Sequence, residues 1–113
     1  MAALDFKRVR EAAGDDPEFI QELMELYLED AAERLQELRA AVSNGSTDEV
    51  ARSAHKLKGS SANVGAQGIS DCAKTLEEMG KNGDLQGAEA LVDRAQADLD
   101  LVKTELQTLL DSL

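Results

Sequence analysis

Proline occurs only once in this chain and turn-forming residues gather at a few places, which leaves long stretches whose apolar residues recur every three or four positions. That spacing suits one face of a helix and conflicts with the period of two that a half-buried strand requires. The chain reads as all-α. Asp16-Pro17 opens a long helix, because proline has no N–H to lose at a first helical position and aspartate accepts a free N–H as an N-cap. From there Ile20, Met24, Tyr27, Ala31, Leu35, Leu38 and Val42 form one stripe down to the stop at Asn44-Gly45. Ser46 followed three positions later by Glu49 spells a capping box and predicts a third helix reaching about Gly65.

A fourth helix is expected over about Ala66 to Asn82, stopped by Asn82-Gly83, with Ile69, Ala73, Leu76 and Gly80 as its stripe. Asp84 is expected to cap the fifth, in which Leu85, Ala88, Val92, Ala95, Leu99, Val102, Leu106 and Leu109 continue the pattern. Ahead of them Leu4 to Ala13 forms a short amphipathic piece that Gly14 can end. Four comparable stripes joined by short loops are best satisfied in an antiparallel up-down four-helix bundle. The expectation is one domain over residues 1–113, with the bundle at 16–112 and the short N-terminal helix of residues 1–14 packed on one end or side. One bundle can bury all four stripes, so a monomer is expected.

Charge narrows the partners. Twelve basic against 23 acidic residues leave a net charge of −11, which disfavours nucleic acid and anionic membrane surfaces, both of which are bound through clustered cations. No apolar run approaches the roughly 20 residues that span a bilayer, and the start "MAALDFKRVREAAGDD" has no signal-peptide core. Cys72 is the only cysteine, so neither an intrachain disulfide nor a CxxC pair can form, and a cytoplasmic setting is expected. Set among Ile69, Ala73 and Leu76, it reads as a small core hydrophobe.

Against that acidic background the segment "ARSAHKLKGSSANVGAQGIS" has no acidic residue and holds the only histidine, His55. On the third helix Val50, Ala54, Leu57, Ser61 and Val64 share the bundle seam, and at about 100° per residue His55 falls roughly 140° from its middle. It faces solvent. Gly59 lies one turn later on the same face, in mid-helix, where glycine costs about 1 kcal/mol relative to alanine. Ala51 and Ala62 complete a floor of small side chains that another surface can approach closely. Lys58 can swing a cation beside the ring, and Arg52 and Lys56 add positive charge, so a phosphate or carboxylate beside His55 would be favoured.

Hairpin geometry offers a further contact. If the turn between the third and fourth helices centres near Ala66, His55, 11 residues before it, lies level with Glu77, 11 residues after. A carboxylate there could accept from Nδ1–H and leave Nε2 bare and outward, a nucleophile with a set direction. The competing assignment for Glu77 is an exposed i,i+4 pair with Lys81, worth tenths of a kcal/mol. From spacing alone the two stand level.

The run "AHKLKGSS", Ala54 to Ser61, followed by Val64-Gly65-Ala66 and, downstream, by Leu76-Glu77 and the "NGD" turn, closely resembles the signature of histidine-containing phosphotransfer (HPt) domains, the phosphocarriers of multistep two-component phosphorelays. The resemblance covers essentially the whole chain. It implies that His55 Nε2 accepts a phosphoryl group from an aspartyl phosphate on a response-regulator receiver domain and passes it to another receiver. It also implies that Lys58 supports the phosphate, that Gly59 clears room for the incoming aspartate, and that Glu77 bonds the imidazole. Arg52, Lys56, Ala62 and Lys81 are expected near the phosphate or the receiver. The family docks receivers on an apolar patch beside the histidine; Phe19, Leu23 and Leu26 are the candidates here, and the short first helix is expected to cover them.

A carrier of this kind needs no cofactor of its own, Mg²⁺ being expected on the receiver, and the chain shows no GxxxxGK loop or kinase motif. It is therefore expected to be a carrier and not an enzyme, with receivers and possibly a hybrid histidine kinase as partners. Two other functions compete: a helical interaction module in which His55 is incidental, and the phosphoacceptor domain of a larger histidine kinase. A metal site is disfavoured because His55 and Cys72 lie on different helices without a second ligand pair. Ser60 and Ser61 read as small residues that allow close helix packing, since no second histidine is present to activate them.

Overall fold

A computed structural model describes residues 3–113 and contains five helices: α1 (Phe6–Ala13), α2 (Pro17–Asn44), α3 (Thr47–Asn63), α4 (Gln67–Asn82) and α5 (Ala88–Asp111). Helices α2 to α5 form the antiparallel up-down bundle, each packed against its two neighbours in the ring α2, α3, α4, α5. The molecule measures 44 × 20 × 18 Å. Its long axis is set by the 28-residue α2, which at 1.5 Å per residue spans roughly 42 Å.

The apolar stripes become the core. Ile20, Met24, Tyr27, Ala31, Leu35 and Leu38 of α2 are buried, as are Val50, Ala54 and Leu57 of α3, Ile69, Ala73 and Leu76 of α4, and Val92, Ala95, Leu99, Val102 and Leu109 of α5. Val42 sits at the edge of the core, and Ala41 takes the buried place in the last turn of α2. Cys72 is a free, buried thiol whose pKa burial pushes up. Among the described residues no helix is long and apolar enough to cross a membrane.

Several helix ends differ from the sequence expectation. Asp16 caps α2 as expected, its carboxylate accepting from Glu18 N–H. Ser46 occupies the N-cap of α3, but its side chain makes no capping bond; the helix start is left to Asp48 and Glu49, whose charges favour the positive end of the helix dipole. α3 ends at Asn63 instead of near Gly65, because Gly65 has φ +80 and turns the chain into α4. Asp84 closes a turn by accepting from Gln86 N–H, and α5 begins only at Ala88, after Gly87, which leaves Leu85 half-buried outside the helix. α1 begins at Phe6, with Asp5 capping it, so Leu4 is buried from the bend ahead of the helix.

α1 lies across the end of the bundle where α3 turns into α4. Asp5 N–H donates to Gly65 O at 2.9 Å, and the Glu105 carboxylate of α5 accepts from Ala3 and Leu4 N–H. A Cβ on Gly65 would stand 2.9 Å from Arg8 Cβ, so the turn and α1 fit only with glycine there. Although α1 is tied to that end and packs on α2, it leaves open the patch it was expected to cover: Phe19 is 48% and Leu26 67% exposed, and Leu23 is half-buried.

Two polar bonds fix the register of α2 on α3. The Tyr27 and Ser61 hydroxyls meet at 2.7 Å inside the core, and Ser53 Oγ donates to Glu37 at 2.9 Å. Burial raises the Tyr27 phenol to about 12 despite the bond to Ser61, so it stays neutral. Tyr27→Phe leaves the buried Ser61 hydroxyl without its partner and is expected to cost about 1 kcal/mol in urea denaturation. Adding Ser61→Ala should recover part of that loss, and a double variant no more stable than Tyr27→Phe would contradict the pairing.

Candidate functional site

The site grows from the α3–α4 hairpin. Close contact between these helices depends on Gly80: a Cβ there would lie 2.6 Å from Ala51 N and 2.7 Å from Thr47 O, both backbone atoms. Toward the hairpin turn, Ser70 Oγ donates to Lys58 O at 3.0 Å. Between these points Glu77 projects from α4 into the interface, 5% exposed and the one acidic residue buried among the described residues. On the α3 side His55 stands above it with its side chain 68% exposed.

Burying a carboxylate costs several kcal/mol unless charge and hydrogen bonds compensate. Three groups do so here. His55 Nδ1 lies 2.8 Å from Glu77 Oε2, Lys58 Nζ donates to Oε1 at 2.6 Å, and Lys81 Nζ lies 3.3 Å from Oε2. The Lys58 hydrogen bond, helped by those from His55 and Lys81, outweighs burial and brings the Glu77 carboxyl down to about 2. An ionised carboxylate can only accept. The hydrogen therefore sits on His55 Nδ1, and Nε2 of the neutral ring carries its lone pair outward.

The two competing assignments of Glu77 are thus realised together: it bonds His55 and also pairs with Lys81, from a buried position where neither contact is a loose surface pair. Lys58 sits on the same carboxylate as the imidazole, half-buried beside it. Gly59 is exposed one turn along α3, and a Cβ built on it would meet no atom within 4 Å. Ala62 is exposed on the same helix and Ala51 half-buried. Arg52 and Lys56 are not part of this cluster; they line the groove between α3 and α2. Among the described residues no group of three His, Cys, Asp or Glu side chains is placed to hold a metal ion.

Sequence reasoning did not assign a role to Gly80 or Ser70. For Gly80 a signal existed, a glycine at a stripe position of a helix, which marks close backbone approach. Ser70 carries no such signal, because its acceptor is a carbonyl on another helix.

A buried carboxylate orienting an exposed histidine on a helical hairpin is the arrangement that the sequence motif implied. Residues 22–113 match the family model described as the Hpt domain. The chain belongs to that family. It is similar to Histidine-containing phosphotransfer protein 2 of Arabidopsis thaliana, with 29% identity over 94 residues, 80% of this chain. It spans about 60% of the length of that curated relative. The crystal structure of histidine-containing phosphotransfer protein B (HptB) from Pseudomonas aeruginosa PAO1 superposes with a TM-score of 0.88 at 27% identity, covering 98% of this chain and 96% of that one. The HPT domain of a sensor hybrid histidine kinase from Shewanella shares the fold, with a TM-score of 0.76 at 17% identity and coverage of 98% and 96%.

Glu77 has a consequence for acid stability. Unfolded, it takes up a proton near 4.5, whereas in the bundle it resists protonation down to about 2. The unfolded chain therefore binds the proton first as pH falls, so the contribution is complete above about pH 5 and is lost between there and about pH 2. Glu77→Gln is expected to remove that part of the pH dependence, on the order of 3 kcal/mol. Urea midpoints measured from pH 7 down to pH 2.5 check it; parallel curves for the two proteins would contradict the buried ion cluster.

Proposed function

We propose that the chain is a phosphorelay carrier in which His55 Nε2 takes a phosphoryl group from an aspartyl phosphate of a receiver domain and yields it to another receiver aspartate. The observation that carries this reading is the Nδ1 bond to an ionised, buried Glu77, which leaves Nε2 bare on a 68% exposed side chain. In the forward step the Nε2 lone pair attacks phosphorus, the N–P bond forms, and the P–O bond to the aspartate breaks to release its carboxylate. No proton need leave. The ring keeps Nδ1–H and gains positive charge, which the Glu77 carboxylate offsets.

Lys58 and Lys81 supply cations beside the site, and Lys58 can exchange its Glu77 partner for a phosphoryl oxygen by rotating its side chain. Gly59 and Ala62 keep the ground beside His55 low, so a receiver loop can bring its aspartate in line with Nε2. Phe19 and Leu26, exposed on α2, give such a receiver an apolar surface. On this reading the chain brings no ATP-binding or kinase machinery and no cofactor, the receiver supplying Mg²⁺, and it works as a cytoplasmic monomer between receivers and a hybrid kinase. The free thiol of Cys72 fits a reducing compartment.

His55→Gln should fold normally and take no label from a radiolabelled phospho-receiver that loads the wild type, while Lys58→Ala slows loading. Gly59 separates stability from function. Gly59→Ala has room for its methyl and removes a helix penalty of about 1 kcal/mol, so it should melt roughly 4 °C higher. Gly59→Gln should gain stability as well and lose transfer from the receiver by at least tenfold. A Gly59→Gln protein as active as wild type would remove the clearance role.

A further inference from the structure

On the side of α3 facing α2, away from Glu77, lies a groove of about 400 Å³ lined by Arg34, Glu37, Ala40, Glu49, Arg52, Ser53 and Lys56. Its carboxylates and cations are unevenly matched. Arg34 is ringed by Asp30 at 3.5 Å, Glu33 at 3.3 Å and Glu37 at 3.2 Å, and Glu37 also accepts from Ser53. Those charges are spent within the wall. Arg52 and Lys56, one helical turn apart and both exposed, form no ion pair among the described residues, and only Glu49 faces them uncommitted.

The register places this groove relative to the histidine. The Tyr27–Ser61 and Ser53–Glu37 bonds run α2 antiparallel to α3, which puts Arg34 about level with His55, and Leu26 about two turns further toward the α3–α4 turn. A surface lying over His55 would meet the exposed apolar side chains of α2 at one end and, at the other, two cations with a single uncommitted carboxylate between them. On a chain with net charge −11 that pair is a local exception, and it repels the basic partners that the rest of the surface would attract.

We propose that the Arg52–Lys56 groove is a second docking point for the receiver partner and takes an acidic segment of it, so that the receiver is held at two places and its aspartate is aimed at Nε2. This rests on the phosphorelay reading. Charge complementarity selects the occupant: two exposed cations, Arg52 and Lys56, facing one uncommitted carboxylate, Glu49, call for aspartate or glutamate side chains. Paired charges at such a rim set orientation and partner choice and are sensitive to salt.

The test uses the receiver that loads the wild-type chain and measures its affinity by calorimetry from about 50 to 300 mM salt. Arg52→Gln/Lys56→Gln is expected to weaken binding about tenfold at low salt and to flatten the salt dependence. The control is Arg94→Gln/Lys103→Gln, an equal change of net charge on α5, across the bundle from α3; it should alter affinity less than twofold. Circular dichroism and melting temperature check that both fold. Equal affinities and salt slopes for wild type and the Arg52/Lys56 variant would overturn the groove, and equal weakening by the α5 control would reduce the effect to general charge and overturn it too. If no receiver loads the wild type, the phosphorelay reading itself fails and takes the proposal with it.

Discussion

The arrangement depends on one carboxylate that is buried for the sake of a neighbour that is not. Glu77 is sunk between α3 and α4, where its charge is tolerated only because His55, Lys58 and Lys81 converge on its two oxygens. Burial fixes the carboxylate in place, and a fixed acceptor fixes the imidazole. A glutamate free in solvent could bond the same nitrogen but would not hold the ring to one tautomer and one direction. The cost of burial is thus converted into orientation of the exposed imidazole nitrogen, an instance of a preorganised site set on rigid elements.

The rest of the fold serves that contact. Gly80 brings the α4 backbone against Ala51 and Thr47, and Ser70 fastens α4 to the Lys58 carbonyl, so the Glu77 side chain crosses a short gap held on both sides. The buried stripes keep the helices parallel to the molecule's long axis and leave α3 with one wet face. On that face small residues stand beside His55, Arg52 and Lys56 lie toward α2, and Lys58 lies toward Glu77 of α4.

Much of this was legible in the sequence because bundle geometry is periodic. Counting 11 residues either way from Ala66 paired His55 with Glu77, and the seam of Val50, Ala54, Leu57 and Ser61 put the histidine outside. What escaped was set by contacts without local pattern. Ser46 and Glu49 carry the letters of a capping box, yet the serine side chain does not cap, because capping depends on the dihedrals of one residue. The delayed start of α5 at Ala88 follows from a turn that Asp84 closes, where an N-cap was the simpler assignment. The position of α1 rests on backbone bonds to Gly65 and on Glu105, about 100 residues away in sequence, and so Phe19 and Leu26 were expected to be covered when they are open. The location of Lys58 was anticipated beside the phosphate, but its engagement with Glu77 required the depth of the carboxylate to be known.

The central claim, that Glu77 sets the tautomer of His55, is tested most directly by the nitrogen chemical shifts of the His55 ring in ¹⁵N-labelled protein near neutral pH. His55 is the only histidine, so its ring signals need no assignment. The account predicts a protonated Nδ1 and a bare Nε2 in the unphosphorylated protein, and a ring moving toward the ordinary Nε2–H form when Glu77 is replaced by alanine. Nε2–H in the wild type, or shifts unchanged by Glu77→Ala, would contradict it.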